Sequence, residues 1–421
     1  MLRLRRGWIA GTPGAPGSIG DLLVSSSGAH RITLEAVSPD GTVDLDCDGC
    51  WVSPGWVDLR SHLREPGEEH KETIASGLSA AAAGGYTAVC ALPSTRPVHD
   101  VRAVTEQMMS RAAGSGARLW PFGAITKGLK GRELAEMADM KAAGIVGVSD
   151  DFTAIRDTAL LRRAMEYART FDLVIALHCD AGGQARGAMM HDGVVSTELG
   201  LPGSPASDEV SAVATALELA AETGARVHIS HVSSGRSAKL IRQAKAENLK
   251  VSADVSPHHL TFCDEALRGF DPQFKVVPPL RSSDDRRALI DAVNDGTINA
   301  IATDHAPHAA LEKSCEFANA RFGVIGLELA APSICALIDS GELEKEATLR
   351  AAGDGAASLL GQASGFERGD VSVIDPNLRW TVSQTSLMSK SANTPFLGDT
   401  VRGAARFTIV GGELIYKRNE R

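Results

Sequence analysis

A run of five residues, Asp304-His305-Ala306-Pro307-His308, carries a carboxylate and two imidazoles directly after the apolar stretch Asn299-Ala300-Ile301-Ala302-Thr303. The stretch reads as a buried strand, which would place metal ligands and proton-transfer groups at its carboxyl end. In a β/α barrel, that end is where chemistry is done. Four other apolar runs end the same way. Residues 55–59 lead into Arg60-Ser61-His62-Leu63-Arg64, residues 144–148 into Ser149-Asp150-Asp151, residues 173–177 into His178, and residues 226–230 into His231. A lone histidine at a strand end is ordinarily a hydrogen-bonded structural residue. His62, Asp151, His178, His231 and Asp304 recur at five such ends, and imidazole nitrogens with carboxylate oxygens are the usual donors to zinc and similar divalent ions.

The elements that must position them alternate. Strand-like runs fall at 55–60, 86–92, 118–124, 144–149, 173–178, 226–231, 249–254 and 299–304, separated by helical stretches such as 71–83, 102–113, 157–170 and 207–223. Alternating β and α units with short connections imply a parallel sheet. Eight units in this length imply a closed (β/α)8 barrel, over residues 53–365. An open, doubly wound sheet is the competing architecture, but polar endings on so many strands fit a ring better. The two ends of the chain differ from the middle. Residues 1–52 and 366–421 are rich in short alternating runs, such as Arg31-Ile32-Thr33-Leu34 and Arg406-Phe407-Thr408-Ile409-Val410. Each end lacks a core of its own, and together they would form one small composite β-sandwich.

At 421 residues with a net charge of −9, the chain can bury a full barrel and does not look like a nucleic-acid-binding surface. Its most apolar stretch, residues 78–92, is interrupted by Gly84-Gly85, so no membrane span is expected. The basic start, Met1-Leu2-Arg3-Leu4-Arg5-Arg6, is not followed by an apolar signal-peptide core. Seven scattered cysteines fit a reducing cytoplasm, and Cys47-Asp48-Gly49-Cys50 lacks the second pair that zinc spacing would need.

The chain resembles the dihydroorotases of the amidohydrolase superfamily, in particular the long bacterial class. The resemblance runs from about Pro54 to Tyr416. It is carried by Pro54-Gly55-Trp56-Val57-Asp58, His62-Leu63-Arg64-Glu65-Pro66-Gly67, Ser149-Asp150-Asp151, Pro257-His258-His259-Leu260, Pro278-Pro279-Leu280-Arg281, Thr303 to His308, Ser389-Lys390-Ser391 and Asn393-Thr394-Pro395. It implies a barrel with a composite sandwich, and reversible closure of N-carbamoyl-aspartate to dihydroorotate in pyrimidine biosynthesis. It implies Asp151 as a metal-bridging carboxylate, His178 and His231 as ligands of one ion, and His62 and Asp304 as ligands of a second. Asp304 would also shuttle the proton. Arg64 and His308 would hold substrate, as would Ser94 and a backbone contact at Phe322-Gly323.

Three positions depart from that pattern. Arg60 stands where a first histidine is expected, Ser94 replaces an asparagine, and so does Val277. A guanidinium has no lone pair to give a metal. The expectation is therefore one zinc ion, on Asp151, His178 and His231, where the family pattern has two. Arg60 would then lie either near the second position or in a salt bridge at the rim. Two further readings stay open: a degenerate homologue serving as a structural partner of aspartate carbamoyltransferase, and a cyclic amidase with another substrate. A small-molecule substrate and a homo-oligomer are expected, with no nucleic acid or membrane partner.

Overall fold

A computed structural model describes residues 1–11, 15–32, 39–182 and 187–419. Parallel segments fill all eight expected strand positions: Trp56–Ser61, Tyr86–Ala91, the split pair Arg118–Leu119 and Phe122–Gly123, Gly147–Ser149, Val174–Leu177, Val227–Ile229, Val251–Val255 and Ala300–Ile301. The split falls at Trp120-Pro121, where proline has no N–H for the ladder. Pairing continues around it, because Trp120 N donates to Val89 O and Val146 N to Pro121 O. Each segment pairs parallel with its neighbours. The ring closes where Ser61 bridges His305 and His62 N donates to His305 O at 2.8 Å. This closure rules out the open sheet.

Val57, Leu59, Ala88, Cys90, Val174, Ala176, Ala300 and Ala302 form one buried cluster. They sit at alternate positions of their strands, so they are the inward layer of the barrel. Continuing that alternation by one step along two of the strands brings His178 and Asp304 to the mouth. The first strand breaks the pattern. Its register shifts between Asp58 and Ser61, and a bulge of this kind re-aims the side chains beyond it. The helices pack outside by their apolar stripes. Thr158–Thr170 buries Leu160, Leu161, Ala164, Met165 and Ala168, and starts where Asp157 accepts from Ala159 N and Leu160 N.

The termini meet in one eight-stranded sheet. Its order is Glu413–Lys417, Thr400–Val410, Val371–Thr381, Trp51–Pro54, Leu2–Ile9, Ser18–Ser25 and Gly28–Ile32, with Val43–Asp46 paired to Leu2–Ile9. The expected run 31–34 contributes Arg31 and Ile32, while Thr33 and Leu34 lie outside the described residues. Leu4, Leu22, Val24, Val52, Val371, Val373, Phe407 and Ile409 share one core, drawn from both ends of the chain. Cys47 and Cys50 lie in that core, both free. No helix among the described residues is long and apolar enough to cross a membrane.

Sheet and barrel are joined by specific contacts. Trp56 N donates to Ser372 Oγ at 2.8 Å and Thr408 Oγ1 to Ala82 O at 2.7 Å. Ile374 and Ala405 belong to the main barrel core. Helix Ile74–Gly84 ends against the backbone of Leu327 and Glu328, where a Cβ on Gly84 would lie 2.1 Å from Leu327 O. Gly84→Ala is therefore expected to cost about 1–3 kcal/mol. Gly269→Ala, which would meet nothing within 4 Å, is the control. Urea unfolding of the two variants tests this, and equal midpoints would contradict it.

Candidate active site

The side chains singled out by type and spacing converge at the carboxyl ends of the strands. Asp151, His231 and Asp304 sit just past their strands with φ of 52°, 39° and 51°, and Arg64 has φ 61°. Non-glycine residues held in this left-handed region cost of order 1–3 kcal/mol each and concentrate at functional sites. The strained turns let each strand end deliver a polar side chain over the mouth instead of continuing outward.

Arg60 lies at the centre. It is 1% exposed, its Nε donates to Asp304 Oδ1 at 2.8 Å and its Nη2 to Asp151 Oδ1 at 2.6 Å. Its Cζ stands 4.9 Å from the centroid of the Phe152 ring. The rim salt bridge is thus excluded, and Arg60 occupies the space between the two carboxylates. Against burial, which lowers its pKa, Asp304 and Asp151 keep the guanidinium protonated. Burial pushes the Asp304 carboxyl up to about 7, although Arg60 pulls it back.

Three imidazoles surround this pair. His62 Nδ1 is 3.2 Å from Ser94 Oγ and 3.7 Å from Asp151 Oδ2. His178 Nδ1 and His231 Nε2 are 3.2 Å apart. Burial, reinforced by the charge of Arg60, brings His178 down to about 4 and His231 well below its ordinary value. Burial with Arg64 and Arg60 does the same to His62. All three are neutral at pH 7. Phe152 stacks on His62 at 5.3 Å, meets His178 edge-on at 6.0 Å and tilts toward His231 at 6.4 Å.

The donor set does not fit a metal ion. Two ligands of one tetrahedral zinc, each at about 2.0–2.1 Å, would be roughly 3.3 Å apart, and the His178–His231 pair meets that spacing. Asp151, the expected third donor, is instead held by Arg60. No group of three or more His, Cys, Asp or Glu side chains among the described residues is arranged to hold an ion. Histidines on metals ordinarily give their second nitrogen to a carboxylate or carbonyl, yet buried His178 Nε2 and His231 Nδ1 have no partner. The expected zinc site on Asp151, His178 and His231 is therefore not assembled, and neither is a second one on His62 and Asp304. The physical reason is the guanidinium, which would repel a divalent ion by about 4 kcal/mol per unit charge product at ~4 Å and an effective dielectric of ~20.

The expected substrate groups lie alongside. Arg64 Nε donates to Pro307 O at 3.0 Å, with Glu68 Oε2 at 3.7 Å from Nη1. His308 Nε2 bonds Phe322 O at 2.8 Å, and a carbonyl only accepts, so the proton is on Nε2. Nδ1 is buried and makes no hydrogen bond, with Glu312 Oε2 3.4 Å away. Burial, with Arg64 nearby, lowers His308 to about 4. At the expected backbone contact, Phe322-Gly323, the Gly323 N–H donates to Lys275 O and its carbonyl accepts from Asn393 Nδ2 and Lys313 Nζ, while Phe322 O takes the His308 bond. Val277 and Phe322 line a largely apolar cavity beside His178.

Sequence reasoning missed three contributors, Phe152, Asp254 and Glu72, and gave a fourth, Asn393, only as part of a motif with no role assigned. Phe152 follows Asp151 and has no chemical signature of its own. Asp254 accepts from His231 N at 2.7 Å and meets His228 Nε2 at 2.7 Å; it too lies near a strand end, which was the available signal. Asn393 accepts from His308 N at 3.0 Å and donates to Ala306 O at 2.9 Å, fixing the 306–308 turn. Glu72 accepts from Ser389 Oγ and Lys390 N and stands 3.5 Å from His305 Nε2. The motif residues His259 and Arg281 are structural: His259 binds Ser256 Oγ and Pro278 O, and Arg281 binds Ser233 Oγ and Ser204 O.

Comparisons with known proteins agree with this architecture. A family model described as dihydro-orotase-like matches residues 49–237. The chain is 43% identical over 407 residues to the dihydroorotase of Geobacter metallireducens, covering 94% of this chain and 95% of the relative. It is 45% identical over 383 residues to that of Anaeromyxobacter dehalogenans, covering 89% and 88%. Among solved structures, the L-hydantoinase (dihydropyrimidinase) of Arthrobacter aurescens superposes with a TM-score of 0.87 at 22% identity, over 100% of this chain and 96% of that one. A Thermus D-hydantoinase gives 0.80 at 21%, over 99% and 95%. At these identities the structural likeness speaks for the fold alone.

Removing one partner of a buried ion pair strands the other charge. Arg60→Ala is expected to lower stability by about 3–5 kcal/mol, while Arg102→Ala, in an exposed pair with Glu106, leaves the unfolding midpoint unchanged. Urea titration of both variants in metal-free buffer checks this. An Arg60→Ala midpoint equal to wild type would mean that the carboxylates do not depend on Arg60.

Proposed function

Because this chain belongs to the dihydroorotase family, we propose that it is a cyclic amidohydrolase interconverting dihydroorotate and N-carbamoyl-aspartate. The observation that carries this reading is the buried constellation of Asp304, Arg64 and His308 at the barrel mouth, a proton carrier beside a cation and a neutral acceptor. Such a set has no structural need to be assembled there at the cost of strained backbone.

The roles follow from the chemistry of each group. Arg64 keeps its charge and pairs with the substrate carboxylate. His308 Nδ1 accepts a ring N–H. In the hydrolytic direction, water adds to the ring carbonyl carbon and the carbon–nitrogen bond breaks. Asp304 takes the proton from water and passes it to the departing nitrogen; cyclisation runs the same transfers in reverse. A carboxyl at about 7 is matched to moving a proton in both directions near neutral pH. Arg60 Nη1, buried and without a partner, is the donor available to the oxygen that gains charge. Ser94 serves this site through His62, and Val277 and Phe322 offer the ring an apolar wall.

The ion pair of Arg60 favours a second reading, in which the chain is a catalytically degenerate homologue acting as a structural partner of aspartate carbamoyltransferase. Turnover separates the two. Purified wild type is expected to open dihydroorotate, and Asp304→Asn, which still accepts from Arg60 but cannot take a proton, to lose about 10²-fold or more. A folded Asp304→Asn variant working at the wild-type rate would remove Asp304 from the mechanism. An inactive wild type that co-purifies with the transcarbamoylase would establish the second reading.

A further inference from the structure

Arg60 combines properties that a surface or purely structural arginine does not. It is fully enclosed, it divides its donors between two carboxylates that no other cation reaches at hydrogen-bond distance, and its third edge, Nη1, is left unpartnered. Salt bridges to Arg60 are the ones that Asp151 and Asp304 make with any arginine or lysine among the described residues. Two carboxylates side by side in a dry barrel mouth need a cation at that position. In a metal-dependent site that cation is an ion drawn from solvent.

We propose that the Arg60 guanidinium is the resident cation of this site. It stands where a divalent ion would join Asp151 to Asp304, and the folded protein holds these carboxylates without a metal. The bulge between Asp58 and Ser61 is what brings Arg60 inward beside His62. The Phe152 ring then covers the guanidinium and closes off the space over the three imidazoles. A planar fork suits this position: two N–H groups reach two carboxylates along separate directions, and a third faces the cavity. The orphaned second nitrogens of His178 and His231 agree, since a ligating pair would have them anchored. The His178–His231 spacing shows that the imidazoles still stand close enough to share an ion if the guanidinium were withdrawn. The inference concerns the cation of the site and does not depend on which ring is opened.

Elemental analysis tests it directly. Wild type, Arg60→His and Arg60→Ala are each exposed to excess zinc, passed into metal-free buffer and assayed for bound ion. Wild type is expected to retain none, with a melting temperature unmoved by chelator or by zinc. Arg60→His is expected to retain about one ion per chain and to melt higher with zinc than without. Wild type retaining an ion at full stoichiometry, with a melting temperature that falls in chelator, would overturn the proposal. So would Arg60 variants that fold and stay as metal-free as wild type, because the position would then not be an ion's. If the variants fail to fold, wild type alone decides through the Nε–H resonance of Arg60 in 15N-labelled protein. A signal protected from solvent exchange and unchanged in excess zinc supports the proposal, and its loss or shift on adding zinc overturns it.

Discussion

One guanidinium shared between two buried carboxylates is the constraint on which the rest of this site depends. Arg60 is held at 2.8 Å from Asp304 and 2.6 Å from Asp151. Charges out of water are tolerated only when paired and hydrogen-bonded. The strand ends therefore have to converge on that fork. The left-handed backbone at Asp151, His231 and Asp304 is a cost borne by the barrel, whose closed ring and small inward layer leave the strand ends little freedom to relax. The terminal sheet contributes from outside, packing Ile374 and Ala405 into the barrel core.

Around this pair the electrostatics follow a consistent direction. Burial lowers the neighbouring imidazoles and Arg60 reinforces it, as Arg64 does for His308. Neutral histidines act as hydrogen-bonding groups rather than charges, and His308, whose Nε2 donates to Phe322 O, is fixed in its tautomer. Asp304 is the member poised between states, because burial drives its proton on while Arg60 draws it off. Proton transfer and charge neutralisation thus meet on one side chain.

Much of this was legible before any coordinates. The apolar runs that end in His178 and Asp304 are read as strands with these residues at their carboxyl ends, and the structure has both there. The barrel and the pairing of both termini followed from the spacing of apolar runs. What was hidden depends on geometry that periodicity does not encode. The bulge before Ser61 decides where Arg60 points, and a sequence shows no bulge. Phe152 looks like any loop aromatic until three imidazoles are found around it. The bonds of Gly323 to Lys275, Asn393 and Lys313 could not be read from the sequence either. The strand at 118–124 breaks at Pro121, for which the proline itself was the available sign. The zinc expectation meets the same limit: ligand types can be counted along a chain, whereas a guanidinium seated among them cannot.

Diffraction from crystals soaked in zinc, with data collected at the zinc absorption edge, reaches the central claim most directly. This account predicts continuous density for the Arg60 guanidinium between Asp151 and Asp304, with no anomalous peak within reach of either carboxylate. An anomalous peak joining those two side chains, with Arg60 turned away from them, would contradict it.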